Sequence, residues 1–314
     1  MTLLIQYTLL FASVLMLVAL GGCFAEHSGV INIGLEGIMV VGALGGALCM
    51  KFMPASMGAP VIILSTMLIS AAFGMLFSLL LAVAAINFQA DQTITGTAMN
   101  MLAVAATTVA VKAMNTAVSA GNDVSSEVAY TSARELFMIR IGDFTLNWFM
   151  VAAVVILVIS WVVLYKTRFG LRLMACGEHP QAADSVGINV YKMRYAGVLI
   201  SGALGGLGGI VYITAGVNAW KFEYGVDGFG FLALAVMIFG AWHPGKIALA
   251  ALLFGFFRAL GNVYTGFDVL MALNMPSVVY NMLPYIISLV VLAFTSRKSR
   301  APKAEGIPYD KGTR

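Results

Sequence analysis

Residues 166–194, KTRFGLRLMACGEHPQAADSVGINVYKMR, form a polar and basic segment between two long apolar runs. A bilayer core of roughly 30 Å needs about 20 apolar residues per helix, and the flanking runs at 148–165 and 196–214 approach that length. A polar insert between two such runs is typical of a loop outside the membrane. The sequence therefore predicts a membrane helix bundle in which this loop is the part accessible to a soluble partner.

The composition excludes a soluble domain. Of 314 residues, 61% are hydrophobic and 10% are charged, with a mean hydropathy of +0.93, whereas soluble domains carry about 25% charged residues. The net charge of +4 does not indicate a nucleic-acid partner, because the basic residues sit at the ends of apolar runs, where they set topology. The three cysteines are too widely separated to predict a disulfide framework or a metal cluster.

Charge-free runs locate about 8–10 membrane helices, so we predict an all-α transmembrane domain over residues 1–295 and a solvated tail over residues 296–314. Residues 20–23, LGGC, resemble a lipoprotein cleavage site, but no charged residue precedes them, and we predict a first helix over Leu3–Phe24. The shortness of the seventh and eighth runs leaves a re-entrant pair open. The remaining predicted spans are residues 30–50, 61–86, 93–111, 148–165, 196–214, 229–242, 247–260 and 278–295.

Basic residues predict the orientation. Five of the 18 Lys and Arg residues lie in the loop of residues 166–194 and six lie in the tail, and the positive-inside bias places both in the cytoplasm. The predicted spans then put the N-terminus and the polar segment of residues 112–147 on the outer face. If the second span is broken at Glu36, the N-terminus could instead lie inside.

A short internal echo accompanies these spans. The sequence GALGG occurs at residues 42–46 and again at residues 202–206. Transporters are often built from internal repeats, but five small residues in a Gly-rich membrane protein are weak evidence for a duplicated architecture.

The sequence carries no pattern for catalysis. No Gly-x-x-x-x-Gly-Lys-Ser/Thr motif is present, so the chain has no ATPase motif of its own. His27, His179 and His243 have no His or Cys at metal-ligand spacing, and no Ser/His/Asp arrangement is evident. We therefore expect no catalytic residue, no metal and no bound cofactor, and we do not expect an enzyme.

A short helix is predicted inside the polar loop. Pro180 suits a first helical turn and Gly187 suits a helix end. Ala182 and Ala183 would give this helix a small-residue face that fits closely into a groove of a soluble partner. From local features alone, an ordinary solvated loop explains the segment equally well.

The loop resembles the cytoplasmic coupling loop of ABC importer permeases for simple sugars and nucleosides. The resemblance continues in the family's order over most of residues 30–257, although His243 stands where the family commonly has Asn before a Pro-Gly turn. The residues that carry it are 170–172 (GLR), 177–183 (GEHPQAA), 186–188 (VGI), 32–37 (NIGLEG), 91–100 (DQTITGTAMN), 228–236 (GFGFLALAV), 243–245 (HPG) and 251–255 (ALLFG).

The resemblance implies a permease of the type II ABC importer fold in the bacterial inner membrane. Two permease chains, as a heterodimer or a homodimer, would form the path, partner ATP-binding subunits would bind ATP, and an extracytoplasmic binding protein would deliver the solute. The helix from Pro180 to Val186 would enter a groove of the ATPase. The residues expected to contact or shape that coupling are Gly177, Glu178, Pro180, Ala182, Ala183 and Gly187.

Polar residues within the predicted spans are candidates for the translocation path. An ionisable residue such as Glu36 is costly in a membrane and needs a partner or a watery cavity, while amides and hydroxyls either bind solute or join helices. We expect the path among Asn32, Glu36, Gln92, Thr95, Thr97 and Asn100.

Two other functions and the choice of solute remain open. An ion-coupled secondary transporter would need buried charges, and apart from Glu36 the predicted spans are nearly empty of them. A structural membrane protein without a path would not need the Ala-rich cytoplasmic helix. The segments at residues 32–37 and 91–97 resemble the nucleoside branch of the family more than the sugar branch.

Overall fold

The computed structural model describes residues 2–54, 56–118, 125–130, 137–142, 144–214, 219–267, 271, 276–295 and 301–312. Within them, seven helices are long and apolar enough to cross a membrane, and two shorter apolar helices accompany these. The all-α membrane bundle is therefore confirmed, with four short strands added. In chain order the elements are α1 Thr2–His27, α2 Leu35–Phe52, α3 Ala59–Ala82, a π-helical turn Val83–Asn87, α4 Gln92–Val118, β1 Glu127–Ala129, β2 Met138–Ile141, β3 Phe144–Asn147, α5 Trp148–Lys166, α6 Arg168–Glu178, α7 Pro180–Ser185, α8 Val190–Ile213, β4 Ala219–Lys221, a 3-10 turn Phe222–Tyr224, α9 Phe229–Phe239, α10 Pro244–Val263, a 3-10 turn Tyr264–Gly266, and α11 Ser277–Thr295.

Local capping explains where several helices begin. Asn147, Thr167 and Asn189 precede α5, α6 and α8, and each side-chain oxygen accepts a first-turn backbone N–H at 3.0–3.2 Å. Such caps satisfy donors that the helix itself leaves unpaired. Proline stands in the first turn of α3, α7 and α10, where its missing N–H costs nothing.

The core of the bundle lies around α1, α2 and α8, whose residues are mostly buried. Cys23 lies fully buried inside α1, which runs without a break through the LGGC sequence. Helices α3 and α5 present apolar side chains outward, among them Leu68, Leu76 and Val154. An apolar outer surface of this kind suits contact with lipid tails.

The two GALGG segments pack against each other where α2 crosses α8. A Cβ atom added to Gly42 would lie 2.2 Å from the Gly206 Cα atom, so the backbones touch without side chains between them. Ser70 of α3 closes the contact, since its Oγ lies 2.7 Å from the carbonyl oxygens of both glycines. The two GALGG segments therefore serve helix packing.

The bundle has two ends. Residues of the polar loop, the end of α1 and the C-terminal residues meet at one end, which we call the coupling-loop side. Strands β1 and β4 pair antiparallel at the other end, with Glu127 opposite Lys221, and β2 pairs with β3. We call this end the strand side.

The segment predicted as a polar excursion over residues 112–147 differs in detail. Helix α4 continues to Val118 rather than ending at Val111, and three short strands follow. The charge of Lys112 predicts the start of a loop, but a lysine in the last two turns of a membrane helix can extend its amine toward water. Residues 119–124, 131–136 and 143, which include the Gly121-Asn122-Asp123 sequence, lie outside the described residues.

Helix α2 begins later than the predicted span of residues 30–50. Residues 28–34 form an irregular connection, which we call the elbow, and α2 starts at Leu35 with Glu36 in its first turn. Helix α9 is also short, at 11 residues, whereas α10 has 20 residues. The re-entrant pair left open by the sequence is therefore a single short helix followed by a full one.

The predicted solvated tail is wrong for residues 301–312, which we call the C-terminal segment. Ala304 and Tyr309 are buried there. The Ala304 N–H donates to the Gly177 carbonyl at 2.8 Å, and the Gly306 N–H donates to the Gly29 carbonyl at 3.3 Å. Its apolar side chains and its backbone bonds thus find partners on the bundle. Residues 296–300 and 313–314 lie outside the described residues.

The α2–α8 crossing yields a stability prediction. A valine at Gly206 would place its Cβ atom 2.4 Å from the Ser70 carbonyl oxygen, and overpacking of this kind costs about 1–3 kcal/mol. We expect Gly206→Val to lower the thermal unfolding midpoint in detergent. Gly58→Val is the matched control, because its nearest neighbour would be Pro60 Cδ at 3.8 Å. Equal midpoints for the two variants would contradict the close contact.

Candidate translocation and coupling sites

Glu36 connects the starts of two helices inside the bundle. Its Oε1 accepts the Gly228 N–H at 2.8 Å and its Oε2 accepts the Gly230 N–H at 2.6 Å. These donors belong to the N-terminus of α9, where the helix dipole favours a negative charge. A Cβ atom on Gly230 would lie 2.4 Å from the Glu36 nitrogen, so only glycine permits this approach.

Three predicted path residues use their amides to join the elbow and the start of α2 to neighbouring helices. Gln92 Oε1 accepts the Ile31 N–H at 2.7 Å, and Asn100 Oδ1 accepts the Gly37 N–H at 2.8 Å. Asn32 lies fully buried and its Nδ2 donates to Ser201 Oγ at 2.8 Å. These amides satisfy backbone and hydroxyl groups that lipid could not, which gives them a structural task whether or not solute passes nearby.

The two predicted threonines lie apart from this network. The Thr95 hydroxyl on α4 donates to the carbonyl of Asp91, just before the helix, at 2.7 Å, and the Thr97 hydroxyl donates to the Thr93 carbonyl at 2.8 Å. Thr97 is exposed and Thr95 is half-buried. Glu36, Asn32, Gln92 and Asn100 are therefore brought together, while the threonines are not.

A charged cluster next to Glu36 was not foreseen from the sequence. Asp227 Oδ2 accepts the Tyr212 hydroxyl at 2.6 Å and lies 3.9 Å from Arg258 Nη2. The Tyr285 hydroxyl donates to the Asp227 carbonyl at 3.1 Å. The prediction that the spans hold almost no charge besides Glu36 is thus wrong for Arg258, which lies in α10 and pairs with an acid from another element.

The position of this cluster along the bundle follows from helix length. The turn after α9 lies at the coupling-loop side, where the Trp242 carbonyl is 3.1 Å from the His27 Nε2 at the end of α1. The 11 residues of α9 span about 16 Å, so its start lies about halfway across a core of roughly 30 Å. Asp227 is 49% exposed there and Arg258 is 14% exposed. A half-exposed carboxylate at that depth requires water or protein beside it.

The predicted helix of the polar loop is present as α7. Pro180 begins it, and Gly187 follows it with a positive φ of 85°, as expected for the residue beyond a helix end. Gly177 is needed in the preceding helix, because a Cβ atom there would lie 2.4 Å from the His27 carbonyl oxygen. The loop is therefore anchored on the end of α1 and is not a free solvated loop.

The small-residue face of α7 is divided between two environments. Ala182 is exposed, as is Glu178 at the end of the preceding α6, whereas Pro180 is buried. Ala183 is 4% exposed and packs in a cluster with Cys176, Val190 and Tyr309. Of the two alanines, only Ala182 has a side chain available to a partner.

Arg194 is not one of the basic residues at the surface. It is 1% exposed, its guanidinium carbon lies 5.9 Å from the centre of the Tyr309 ring, and its Nε and Nη2 have no hydrogen-bond partner within the described residues. It was expected to be solvated because it flanks the polar loop. The C-terminal segment covers it instead.

Glu305 of the C-terminal segment lies near Glu26 at the end of α1. Glu26 is 3% exposed and accepts a hydrogen bond from the Trp242 indole N–H. Glu305 interacts electrostatically with Glu26. Burial raises the pKa of Glu305 from its ordinary value of 4.5 to about 7, so the docked segment favours the protonated acid.

These features define a helical membrane transport protein, because broken helices that hold charged residues at mid-depth are characteristic of transporters. Residues 4–293 match the family described as branched-chain amino acid transport system / permease component. The chain belongs to this family, and it is an ABC transporter permease. This membership confirms the predicted family and decides against an ion-coupled secondary transporter and a structural membrane protein.

Three curated relatives show how far the similarity extends. The guanosine ABC transporter permease protein NupQ of Bacillus subtilis (strain 168) is 43% identical, over 100% of this chain and 98% of that protein. The nucleoside ABC transporter permease protein NupC of Lactococcus lactis subsp. cremoris (strain MG1363) is 38% identical, over 96% and 95%. The guanosine ABC transporter permease protein NupP of Bacillus subtilis (strain 168) is 28% identical, over 87% and 75%.

The Glu305 pKa predicts how pH acts on the C-terminal segment. Because the acid pKa is higher when docked, docking is favoured at low pH and weakens as pH rises from about 4.5 to above about 7. Hydrogen exchange of the Ala304 and Gly306 amides should therefore accelerate between pH 5.5 and pH 8, after correction for intrinsic exchange. Glu305→Gln should remove this change, whereas Asp310→Asn in the same segment should retain it. An unchanged pH response in Glu305→Gln would contradict the assignment.

Proposed function

We propose that this chain is the permease subunit of an ATP-driven importer that carries nucleosides across the bacterial cytoplasmic membrane. Partner ATP-binding subunits supply the energy, an extracytoplasmic binding protein delivers the solute, and the polar loop and C-terminal segment lie in the cytoplasm. The observation that carries the proposal is the half-exposed Asp227 carboxylate at mid-depth, 3.9 Å from the largely buried Arg258. Such a pair marks a polar path through the bundle.

The chemistry around Asp227 fits a ribose ring. Asp227 Oδ2 is engaged by Tyr212, while Oδ1 accepts no hydrogen bond within the described residues, and a carboxylate oxygen is a strong acceptor for sugar hydroxyls. Exposed aromatic rings stand close in sequence at Tyr224 and Phe231, and nucleobases stack well on such rings. The nucleoside and guanosine names of NupC and NupQ support the same solute class.

A second, different permease chain completes the path in this proposal. The two guanosine permeases NupQ and NupP occur in one organism and are both similar to this chain. A half-exposed charge at the edge of one chain also needs a facing surface. A heterodimer in which Asp227 faces the shared path meets both observations.

Coupling to the ATPase is assigned to the exposed side of α7. Ala182 is exposed on α7, and Glu178 is exposed at the end of α6, which is anchored on α1 through Gly177. Because this close contact with α1 is rigid, a force that the ATPase applies to α7 would move the membrane helices rather than bend the loop. Pro180, Ala183 and Gly187 keep this helix in shape, and Ala182 makes the close contact.

The solute proposal is tested with the hydroxyls of the ribose. In the reconstituted transporter we expect guanosine uptake to exceed that of 2′,3′-dideoxyguanosine, and Asp227→Asn to reduce guanosine uptake about tenfold or more, since hydrogen bonds to charged groups contribute about 1.5–3 kcal/mol. The preference for hydroxyls should shrink in the same variant. Glu223→Gln is the matched control, because Glu223 is exposed in the same connection. An Asp227→Asn transporter that keeps its full hydroxyl preference would contradict the site.

The coupling proposal is tested at Ala182. Ala182→Arg should lower co-purification of the ATP-binding subunit about tenfold, because a bulky charge in a close-packed interface costs about 1–3 kcal/mol. Ala301→Arg, an exposed alanine of the C-terminal segment, is the control and should bind normally. The proposal fails if Ala182→Arg retains both the ATPase and uptake.

A further inference from the structure

The C-terminal segment and α7 are packed into one unit at the coupling-loop side. Tyr309 is 4% exposed, and its ring lies 5.4 Å from the Tyr191 ring, edge on, and 5.9 Å from the Arg194 guanidinium. It shares a buried cluster with Cys176, Ala183 and Val190. The inward side of α7 therefore rests on the segment.

A cleft of about 270 Å³ remains between the two elements on the outward side. One wall is made by α7, and the other by the end of the segment. The cleft is lined by Gln181, Ala182 and Ser185 of α7 and by Tyr309, Asp310 and Lys311 of the C-terminal segment. All of these except Tyr309 are exposed. The surface next to Ala182 is thus partly built by the C-terminal segment.

We propose that the C-terminal segment is the second half of the docking surface for the ATP-binding subunit, with Tyr309 as the positioning residue and Asp310 and Lys311 as contacts. This inference rests on the proposed coupling role of α7. The occupant is the ATP-binding subunit because the cleft is continuous with Ala182. A groove of the ATP-binding subunit that receives α7 would also contact Asp310 and Lys311, because they line the same cleft.

The segment also extends the contact to the membrane helices. The Gly306 N–H bonds the Gly29 carbonyl of the elbow at 3.3 Å, and a Cβ atom on Gly306 would lie 2.8 Å from Ile31 Cδ1. The Ala304 N–H bonds the Gly177 carbonyl at 2.8 Å. A force on the docked surface therefore reaches the elbow directly, as well as through α6 and α1.

The test compares two lysines of the same segment in the full chain, co-expressed with its partner subunits. Lys311 lines the cleft and Lys303 does not, and both are exposed. Lys311→Glu should weaken binding of the purified ATP-binding subunit about tenfold, because a reversed charge opposes the complementary surface. Lys303→Glu carries the same charge change and should bind within about twofold of wild type.

The Ala182→Arg variant separates the inference from the function on which it rests. Weak binding by Ala182→Arg and Lys311→Glu, with normal binding by Lys303→Glu, supports the docking surface. Weak binding by Ala182→Arg alone overturns the role of the segment and leaves the coupling role of α7 in place. Equal weakening by both lysine variants overturns the inference as a general charge effect, and normal binding by all three overturns both proposals.

Tyr309 is tested by a readout that folding alone does not change. Tyr309→Ala should lower the solute transported per ATP hydrolysed while ATP hydrolysis continues, because α7 loses its support. Tyr309→Phe keeps the ring and should keep the wild-type ratio of solute transported per ATP hydrolysed. The positioning role is overturned if Tyr309→Ala assembles normally and keeps the wild-type ratio, or if Tyr309→Phe loses the ratio to the same extent as Tyr309→Ala.

Discussion

The contact of the Glu36 carboxylate with the start of α9 is the constraint on which the interior of the bundle depends. Helices α2 and α9 both begin inside the bundle, where the first N–H groups of a helix find no water. Glu36 supplies both oxygens to N–H groups of Gly228 and Gly230, and the dipole of α9 stabilises its charge in return. Glu36 thus pairs the first N–H groups of α9, while Asn100 Oδ1 accepts the Gly37 N–H in the first turn of α2 at 2.8 Å.

Local signals made most of the fold predictable. Apolar runs gave the membrane helices because each run must pair its own backbone in lipid. Pro180 and Gly187 predicted the bounds of α7 correctly, since a proline at the first turn and a positive φ after the last turn are properties of single residues. The resemblance of the polar loop to a permease family was likewise carried by contiguous residues, and family membership is confirmed.

Long-range contacts could not be predicted from the sequence. Glu36 and Gly230 are separated by 194 residues, so the carboxylate could be identified as unusual but its partner could not. The role of Arg258 could not be predicted because one charge does not interrupt an apolar run, and the acid that pairs with it lies on another element. The burial of Arg194 depends on the C-terminal segment. The polar composition of that segment predicts solvation, whereas its Tyr309 is buried against Arg194.

The elbow of residues 28–34 is suited to transmit movement because it is bonded on every side. The Gly29 carbonyl holds the C-terminal segment, and the Ile31 N–H and the Ile33 carbonyl hold α4 through Gln92 and Asn100. Leaving such a buried group unpaired costs about 1–3 kcal/mol, so separate rearrangement of each bond is unfavourable. We therefore expect the elbow, the start of α4 and the start of α2 to move together, because these hydrogen bonds join them. On the proposed coupling role, we expect a displacement at the coupling-loop side to reach the charged cluster beside α9 as the shift of a rigid unit rather than as the bending of a loop.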